Sequence, residues 1–118
     1  LDEHQKVKLL QQAWVLVYPS LKEGWGLTNI EANACGTLVI ASDVPGLRDS
    51  VVPGKSGLLF EYGQVQQLAE LLIQILSDES LRNKLAQGGL EWAKNFSWEK
   101  TTQKTWEIIE QIVNQKRN

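Results

Sequence analysis

The chain has 118 residues and a net charge of −2, with 42% hydrophobic and 22% charged residues. This length fits one domain with a buried core, and a weakly acidic chain without a long basic run has no electrostatic footprint for nucleic acid. No apolar run approaches the roughly 20 residues that span a bilayer, and no signal-peptide pattern is present. The single cysteine, Cys35, excludes an internal disulfide and disfavours a cysteine-based metal site, so a cytoplasmic location is expected.

In chain order, hydrophobic periodicity first predicts a helix over residues 2–13. Residues 14–18 form a continuous apolar run closed by Pro19, which is typical of a strand buried on both faces. After a glycine-rich loop, residues 27–35 have the pattern of a short helix that ends at Gly36. The chain has no methionine and begins inside the first helix. We therefore expect a piece of a longer polypeptide whose missing part lies at least partly upstream.

Residues 38–60 contain the pattern of further strands, and the residues after them have the pattern of helices only. Residues 38–41 form a second apolar strand, Val51-Val52 is a candidate short third strand, and residues 57–60 are a fourth. Alternating strands and helices imply an α/β fold with a Rossmann-like parallel sheet, flanking helices and right-handed crossovers. About four strands are visible, fewer than the roughly 5–6 of a mean sheet, so we expect an incomplete sheet. The later helices are marked by apolar periodicity within residues 65–76, 81–96 and 98–113.

The chemistry is concentrated in the segment Glu23-Gly24-Trp25-Gly26-Leu27-Thr28-Asn29-Ile30-Glu31. It leaves the carboxyl end of the first strand, where ligands bind in open α/β sheets. The loop at residues 42–46 leaves the second strand and should line the same crevice. Gly24 and Gly26 allow positive φ and let a ligand approach the main chain closely.

Two donors and two acids of this segment suit a sugar nucleotide. The N–H groups of Leu27 and Thr28 lie at a helix start, where unpaired donors and the macrodipole favour a phosphate. Glu23 and Glu31 are better neighbours for neutral hydroxyls, since a carboxylate can accept two O–H bonds from a vicinal diol. The segment therefore predicts an anion site flanked by two hydroxyl-binding carboxylates.

Each part of the segment also has a simpler structural interpretation. Glycines after a strand most often form a turn, Glu23 in a loop would ordinarily be a solvated acid, and Trp25 could fill the core. Thr28-Asn29-Ile30-Glu31 fits the S/T-x-x-E capping box. On spacing alone, capping and ligand binding compete evenly for Glu31.

Other candidate residues carry weaker signals. Cys35 is expected to be a small buried hydrophobe and His4 a solvated residue of the first helix, so no nucleophile or triad motif is supported. Arg48 and Asp49 could form a surface pair at a helix end. Alternatively, with Asp43, they could lie near the crevice, where a basic group would steady a phosphate. Both interpretations stay open.

Taken together, the motifs resemble the retaining nucleotide-sugar glycosyltransferases of the large group 1 family, which have two facing Rossmann-like domains. The resemblance covers nearly the whole chain. It implies that residues 1–118 are a single, partial C-terminal donor-binding domain and that the N-terminal acceptor domain is absent from the chain. The matching residues are Pro19-Ser20, Glu23 to Ala32, Ala34 to Thr37, Val39 to Asp43, Gly57 to Phe60, and Phe96-Ser97-Trp98.

The resemblance implies a role for each residue of the glycine-rich segment. Glu23 would be the catalytic residue, contacting hydroxyls of the transferred sugar, and the main chain of residues 24–26 would lie against that sugar. The N–H groups of Leu27 and Thr28 would hold the diphosphate, and Glu31 would accept the ribose 2′- and 3′-hydroxyls. Proline often stands in the family where this chain has Thr28. Because proline favours the first helical position, the resemblance weakens the capping-box interpretation.

The activity that the resemblance implies for the full-length protein is transfer of a sugar from a nucleoside diphosphate sugar to an acceptor, with retention at the anomeric carbon. No metal or other cofactor is implied, and the expected partners are the donor and the N-terminal domain of the same polypeptide. The family's basic pair that contacts the diphosphate lies upstream of Leu1, so we expect the 118-residue chain alone to be inactive. Peripheral association with the inner face of a membrane would arise only through parts outside the chain.

The chain also departs from the family's pattern. Leu38 and Arg48 stand where proline is common, and Asn33 replaces a frequent methionine, changes that we expect the fold to tolerate. Two alternative functions are a related epimerase or phosphorylase and a noncatalytic nucleotide-binding module. The intact Glu23 and Glu31 favour the transferase, because a protein that had lost its catalytic activity would be expected to lose the sugar contacts.

Overall fold

A computed structural model describes residues 2–20 and 27–96 of the chain. Glu23, Gly24, Trp25 and Gly26 lie outside these residues, as does the last predicted helix with its N-cap Ser97. The described elements are α1 (Glu3–Gln12), β1 (Val15–Tyr18), α2 (Leu27–Ala34), β2 (Leu38–Ser42), α3 (Leu47–Ser50), β3 (Gly57–Phe60), α4 (Val65–Ser77) and α5 (Glu79–Ala93).

The three described strands form one parallel sheet in the order β1-β2-β3. Val15 of β1 pairs with Leu38 of β2, and Val39 of β2 pairs with Gly57 of β3. Helix α2 lies between β1 and β2 in the chain, and α3 between β2 and β3, as crossover connections between parallel strands require. The predicted α/β class with a parallel sheet and flanking helices is confirmed.

The central strand β2 is buried along its whole length. Leu38 and Ile40 pack into one apolar cluster with residues of α4 and α5, while Val39 and Ala41 pack into the other, with residues of α1 and α2. Successive side chains of a strand point to opposite faces, so the continuous apolar run reflects helices on both faces. The predicted second strand is confirmed, one residue longer than expected.

Strand β1 differs from its prediction in extent and in burial. It begins at Val15, and all four of its residues are only half-buried. Trp14 lies outside the strand and is 60% exposed, with the Arg82 guanidinium carbon 4.3 Å from the centroid of its ring. Within the described residues β1 pairs with β2 alone, and this edge position explains its incomplete burial.

The predicted short strand at Val51-Val52 is wrong. Val51 has an extended backbone and a buried side chain, but it follows α3 and pairs with no strand. Pro53 forms one isolated bridge with Gly57, because proline has no N–H with which to continue a ladder. The described sheet therefore has three strands and not about four, and the apolar Val51 marks burial without pairing.

A helix that spans a bilayer needs about 20 predominantly apolar residues. None of the described helices between residues 2 and 96 combines the length and the apolarity needed to cross a bilayer.

Candidate functional site at the carboxyl edge of the sheet

The carboxyl ends of the strands are joined to one another by hydrogen bonds. The Ser42 hydroxyl, at the end of β2, donates to the Tyr18 carbonyl at the end of β1 over 3.2 Å. The Asp43 N–H donates to the Phe60 carbonyl at the end of β3 over 2.7 Å. Both bonds hold the loop starts at the edge where ligands bind in open α/β sheets.

Leu27 and Thr28 are the first two residues of α2. Their N–H groups therefore belong to the four at the helix start that have no intrahelical carbonyl partner. The sequence placed both residues at a helix start, and the structure agrees. Their role toward a phosphate stays a prediction.

Glu31 is a charged residue in the interior. It is the fifth residue of α2 and is only 4% exposed. Lys6 of α1 places its Nζ 2.5 Å from Glu31 Oε2, with its own side chain 33% exposed. Apart from this ion pair, no hydrogen bond from the described residues reaches Oε2. A buried carboxylate requires a partner, and Lys6 supplies it.

The helix boundary tests the capping interpretation of Glu31. A capping box requires Thr28 to be the N-cap, which lies outside the helical backbone. Thr28 is instead inside α2, after Leu27. The capping-box interpretation of Thr28-Asn29-Ile30-Glu31 is therefore wrong, and the carboxylate of Glu31 is paired with Lys6. Its role toward a ribose stays a prediction.

Asn29 and Ser50 form a buried polar link that the sequence analysis missed. Asn29, fully buried in α2, donates from Nδ2 to the Ser50 hydroxyl in α3 over 3.0 Å. The indole N–H of Trp92 in α5 donates to the Ser50 carbonyl over 3.0 Å. These contacts join three helices near the start of α2. No spacing rule pairs an asparagine with a serine 21 residues later, so the sequence carried no signal for them.

Arg48 forms a surface ion pair, but not with the residue expected. Its Nε lies 3.1 Å from Asp43 Oδ1, and its Nη2 donates to the Asp43 carbonyl over 3.1 Å. Both side chains are about half exposed, a setting in which an ion pair contributes at most about 1 kcal/mol. The pairing of Arg48 with Asp49 is thus wrong. Its alternative role toward a phosphate stays a prediction.

The chain was compared with known protein families. The family model described as "Glycosyl transferases group 1" matches residues 1–92. The chain belongs to the group 1 glycosyltransferase family. The resemblance drawn from the sequence motifs is confirmed.

Individual members of the group 1 family and solved structures give the same result. The D-inositol 3-phosphate glycosyltransferase of Corynebacterium urealyticum is 38% identical over 106 residues, which are 90% of this chain and 25% of that protein. The solved sucrose-phosphate synthase from Thermosynechococcus elongatus matches with a TM-score of 0.73 and 37% identity, over 92% of this chain and 26% of that one. The solved C-terminal domain of a group 1 family protein from Francisella tularensis matches with a TM-score of 0.68 and 33% identity, over 74% and 45%. The chain spans about a quarter of the length of the curated relatives it matches.

Asn33 is the departure from the group 1 pattern that matters most for packing. It is fully buried, and its Nδ2 donates to the Thr37 carbonyl over 3.0 Å and to the Ser56 carbonyl over 3.1 Å. A methionine at this position could donate to neither. Asn33 therefore links the end of α2 to the turn before β3, which is more than the tolerated change that we expected.

Cys35 and His4 have the environments that the sequence analysis predicted for them. Cys35 is buried and is not part of a disulfide, and His4 is exposed on α1. Among residues 2–20 and 27–96, no group of three histidine, cysteine, aspartate or glutamate side chains could hold a metal ion.

Proposed function

We propose that the chain is part of the C-terminal, donor-binding domain of a retaining glycosyltransferase, which transfers a sugar from a nucleoside diphosphate sugar to an acceptor. Membership of the group 1 family supports this proposal, as does the similarity to a solved C-terminal domain. The observation that carries it is the buried carboxylate of Glu31 in the second turn of α2, a helix whose first N–H groups have no intrahelical partner.

In the proposed donor site, different residues of the segment 23–31 contact different parts of the nucleotide sugar. The N–H groups of Leu27 and Thr28 hold the diphosphate, since a helix N-terminus favours an anion. Glu31 lies four residues after Leu27 in α2, about 6 Å along the helix axis, and accepts the ribose hydroxyls. Glu23 contacts the transferred sugar as the catalytic residue, with the main chain of residues 24–26 against the same sugar.

In this proposal the leaving diphosphate carries the charge that develops during transfer. Main-chain donors at the start of α2 stabilise that charge without reorganising, and basic residues elsewhere in the full-length protein complete the stabilisation. Attack from the front face gives retention at the anomeric carbon. The nucleoside diphosphate sugar is the substrate, and the proposal includes no metal and no other cofactor. The protein acts in the cytoplasm, and any contact with a membrane surface belongs to other parts of the polypeptide.

The sharpest test of the proposed site is Glu31→Ala in the full-length protein. A preliminary thermal-stabilisation screen of nucleotide sugars identifies the donor. A hydrogen bond to a charged group is worth about 1.5–3 kcal/mol. Loss of one diol contact should therefore weaken donor affinity at least about 10-fold, and loss of both at least about 100-fold. Isothermal titration calorimetry measures this change.

The matched control for that variant is Glu91→Ala. Glu91 is an exposed glutamate of α5, and its removal should leave donor affinity unchanged. An unaltered affinity in Glu31→Ala would reject the ribose role of Glu31.

The 118-residue chain on its own should not catalyse transfer. The proposed acceptor domain and the basic residues for the diphosphate belong to the rest of the polypeptide. An assay of sugar transfer by the isolated chain, with the full-length protein as the positive control, tests this expectation. Measurable transfer by the chain alone would contradict it.

A further inference from the structure

We propose that Lys6 is a positioning residue for the donor's ribose: its ammonium holds the Glu31 carboxylate in the orientation that accepts the 2′- and 3′-hydroxyls. This inference rests on the proposed function, since it assigns a task to Lys6 within the same site. The observation behind it is the contact between Lys6 Nζ and Glu31 Oε2 at 2.5 Å, in which the Glu31 side chain is buried and the Lys6 side chain is one-third exposed.

The direction of α1 brings Lys6 to the ligand edge. The Thr37 hydroxyl, just before β2, donates to the Leu10 carbonyl and lies 3.5 Å from the Ala13 carbonyl oxygen. The end of α1 is therefore fixed at the edge of the sheet where β2 begins. Because α1 has ten residues and rises about 15 Å, its first turns reach toward the opposite, carboxyl edge.

The backbone of α1 is ordered at the end that carries Lys6. The Asp2 carboxylate accepts a hydrogen bond from the Gln5 N–H over 2.8 Å, and the Gln5 side chain accepts one from the Asp2 N–H over 3.1 Å. The Lys6 N–H donates to the Asp2 carbonyl over 3.0 Å. A reciprocal capping box of this kind stabilises the first helical turn. The Lys6 ammonium therefore reaches Glu31 from a hydrogen-bonded helix and not from a loop.

The ion pair leaves capacity for a ligand on both partners. A carboxylate has about four lone-pair sites, and an ammonium has three donors. With one contact between them, Glu31 keeps acceptor sites for two hydroxyls. Lys6, which is one-third exposed, keeps donors that can face the same hydroxyl oxygens. A diol can thus be held between the two groups.

The pair also solves a problem of charge. Glu31 lies about 6 Å along α2 from the proposed diphosphate position, and an unpaired buried carboxylate there would repel the diphosphate strongly in a low-dielectric setting. Lys6 cancels that charge. The acid can then accept the ribose hydroxyls without weakening the binding of the phosphates.

The test measures how well the full-length protein distinguishes a ribonucleotide from its 2′-deoxy analogue. UDP, ADP and GDP are titrated with their 2′-deoxy forms, and the pair whose ribo form binds most tightly to the wild type is used for the variants. Lys6→Met should lower the ribo-to-deoxy affinity ratio about tenfold. Lys8→Met is the control, because Lys8 is an exposed lysine of the same helix and its loss should leave the ratio unchanged. A purely structural role of Lys6 would weaken both nucleotides equally and leave the ratio as it was.

Glu31→Gln separates a failure of this inference from a failure of the proposed function. If Glu31→Gln abolishes the discrimination and Lys6→Met leaves it intact, the positioning role of Lys6 is rejected and the donor site stands. If Glu31→Gln leaves the ratio unchanged, the ribose role fails and the inference fails with it. The double variant should show no further loss beyond Glu31→Gln, since Lys6 acts through that carboxylate.

Two further variants keep the test decisive if Lys6→Met does not fold. Lys6→Arg retains the cation and should keep most of the discrimination. Lys6→Gln retains a donor without the charge and should lose part of it, so a wild-type ratio in Lys6→Gln would overturn the proposal.

Discussion

Replacement of Ile40 by alanine is expected to lower the free energy of unfolding by about 2–5 kcal/mol. Ile40 is fully buried in the central strand β2, where it is paired with Val17 of β1 and Leu58 of β3. Its side chain belongs to the cluster that joins the sheet to α4 and α5. Truncation would leave a cavity between fixed strands and helices, which can relax only in part.

Ile73→Ala is the matched control for Ile40→Ala. It removes the same atoms from a residue of α4 that is 67% exposed, and its effect should stay within about 0.5 kcal/mol. Ile40→Val, which removes one methylene, should cost about 0.5–1.5 kcal/mol. Urea denaturation followed by circular dichroism gives the three values. Equal losses at Ile40 and Ile73 would contradict the assignment of the core.

Gly57→Ala should be the most disruptive small substitution at the sheet, lowering the free energy of unfolding by about 3 kcal/mol. A Cβ at Gly57 would lie 2.0 Å from the Val39 carbonyl oxygen and 2.9 Å from its carbonyl carbon. Both are backbone atoms of β2, so no side-chain rotation relieves the contact. The first pair of the β2–β3 ladder would have to separate. Chemical denaturation measures the loss.

Gly36→Asn is the control for that steric effect. Gly36 has φ +84° but no atom within 4 Å of an added Cβ, and asparagine tolerates the left-handed region. Its cost should be about 1 kcal/mol, the low end of the range for a non-glycine residue in that region. If Gly36→Asn proved as damaging as Gly57→Ala, the close approach of the two strands would not be the cause.

The sequence predicted the strands that appear in it as short, continuous apolar runs. Residues 38–41 were recognisable as a strand because helices cover the central strand on both faces and leave no polar positions there. Residues 57–60 were recognisable because they form a similar short apolar run. Val51 misled the prediction because a single valine is buried equally well in a connection, and only the missing N–H of Pro53 hinted that no ladder would form. Trp14 caused a different error. It lengthens the apolar run in the sequence, but in the structure it lies outside the strand, exposed and in contact with Arg82.

The site was predictable only as far as local spacing reaches. The helix start at Leu27 and Thr28 followed from the glycine-rich segment and the apolar period after it. The partner of Glu31 did not, because Lys6 lies 25 residues earlier and meets it only in the folded chain. The same holds for Asn29 and Ser50. Tertiary contacts between polar side chains leave no periodic signal, so the structure was needed to find them.

The burial of Cys35 has a practical consequence for spectroscopy. It is the only cysteine of the 118 residues, and it is 8% exposed, so a maleimide dye would find little to react with among them. Lys55 is exposed in the turn before β3, at the end of the sheet away from the proposed donor site. Among the 118 residues, a Lys55→Cys variant would have one accessible thiol, located at that turn. A fluorophore attached to it could report nucleotide binding at a distance, with the donor contacts left untouched.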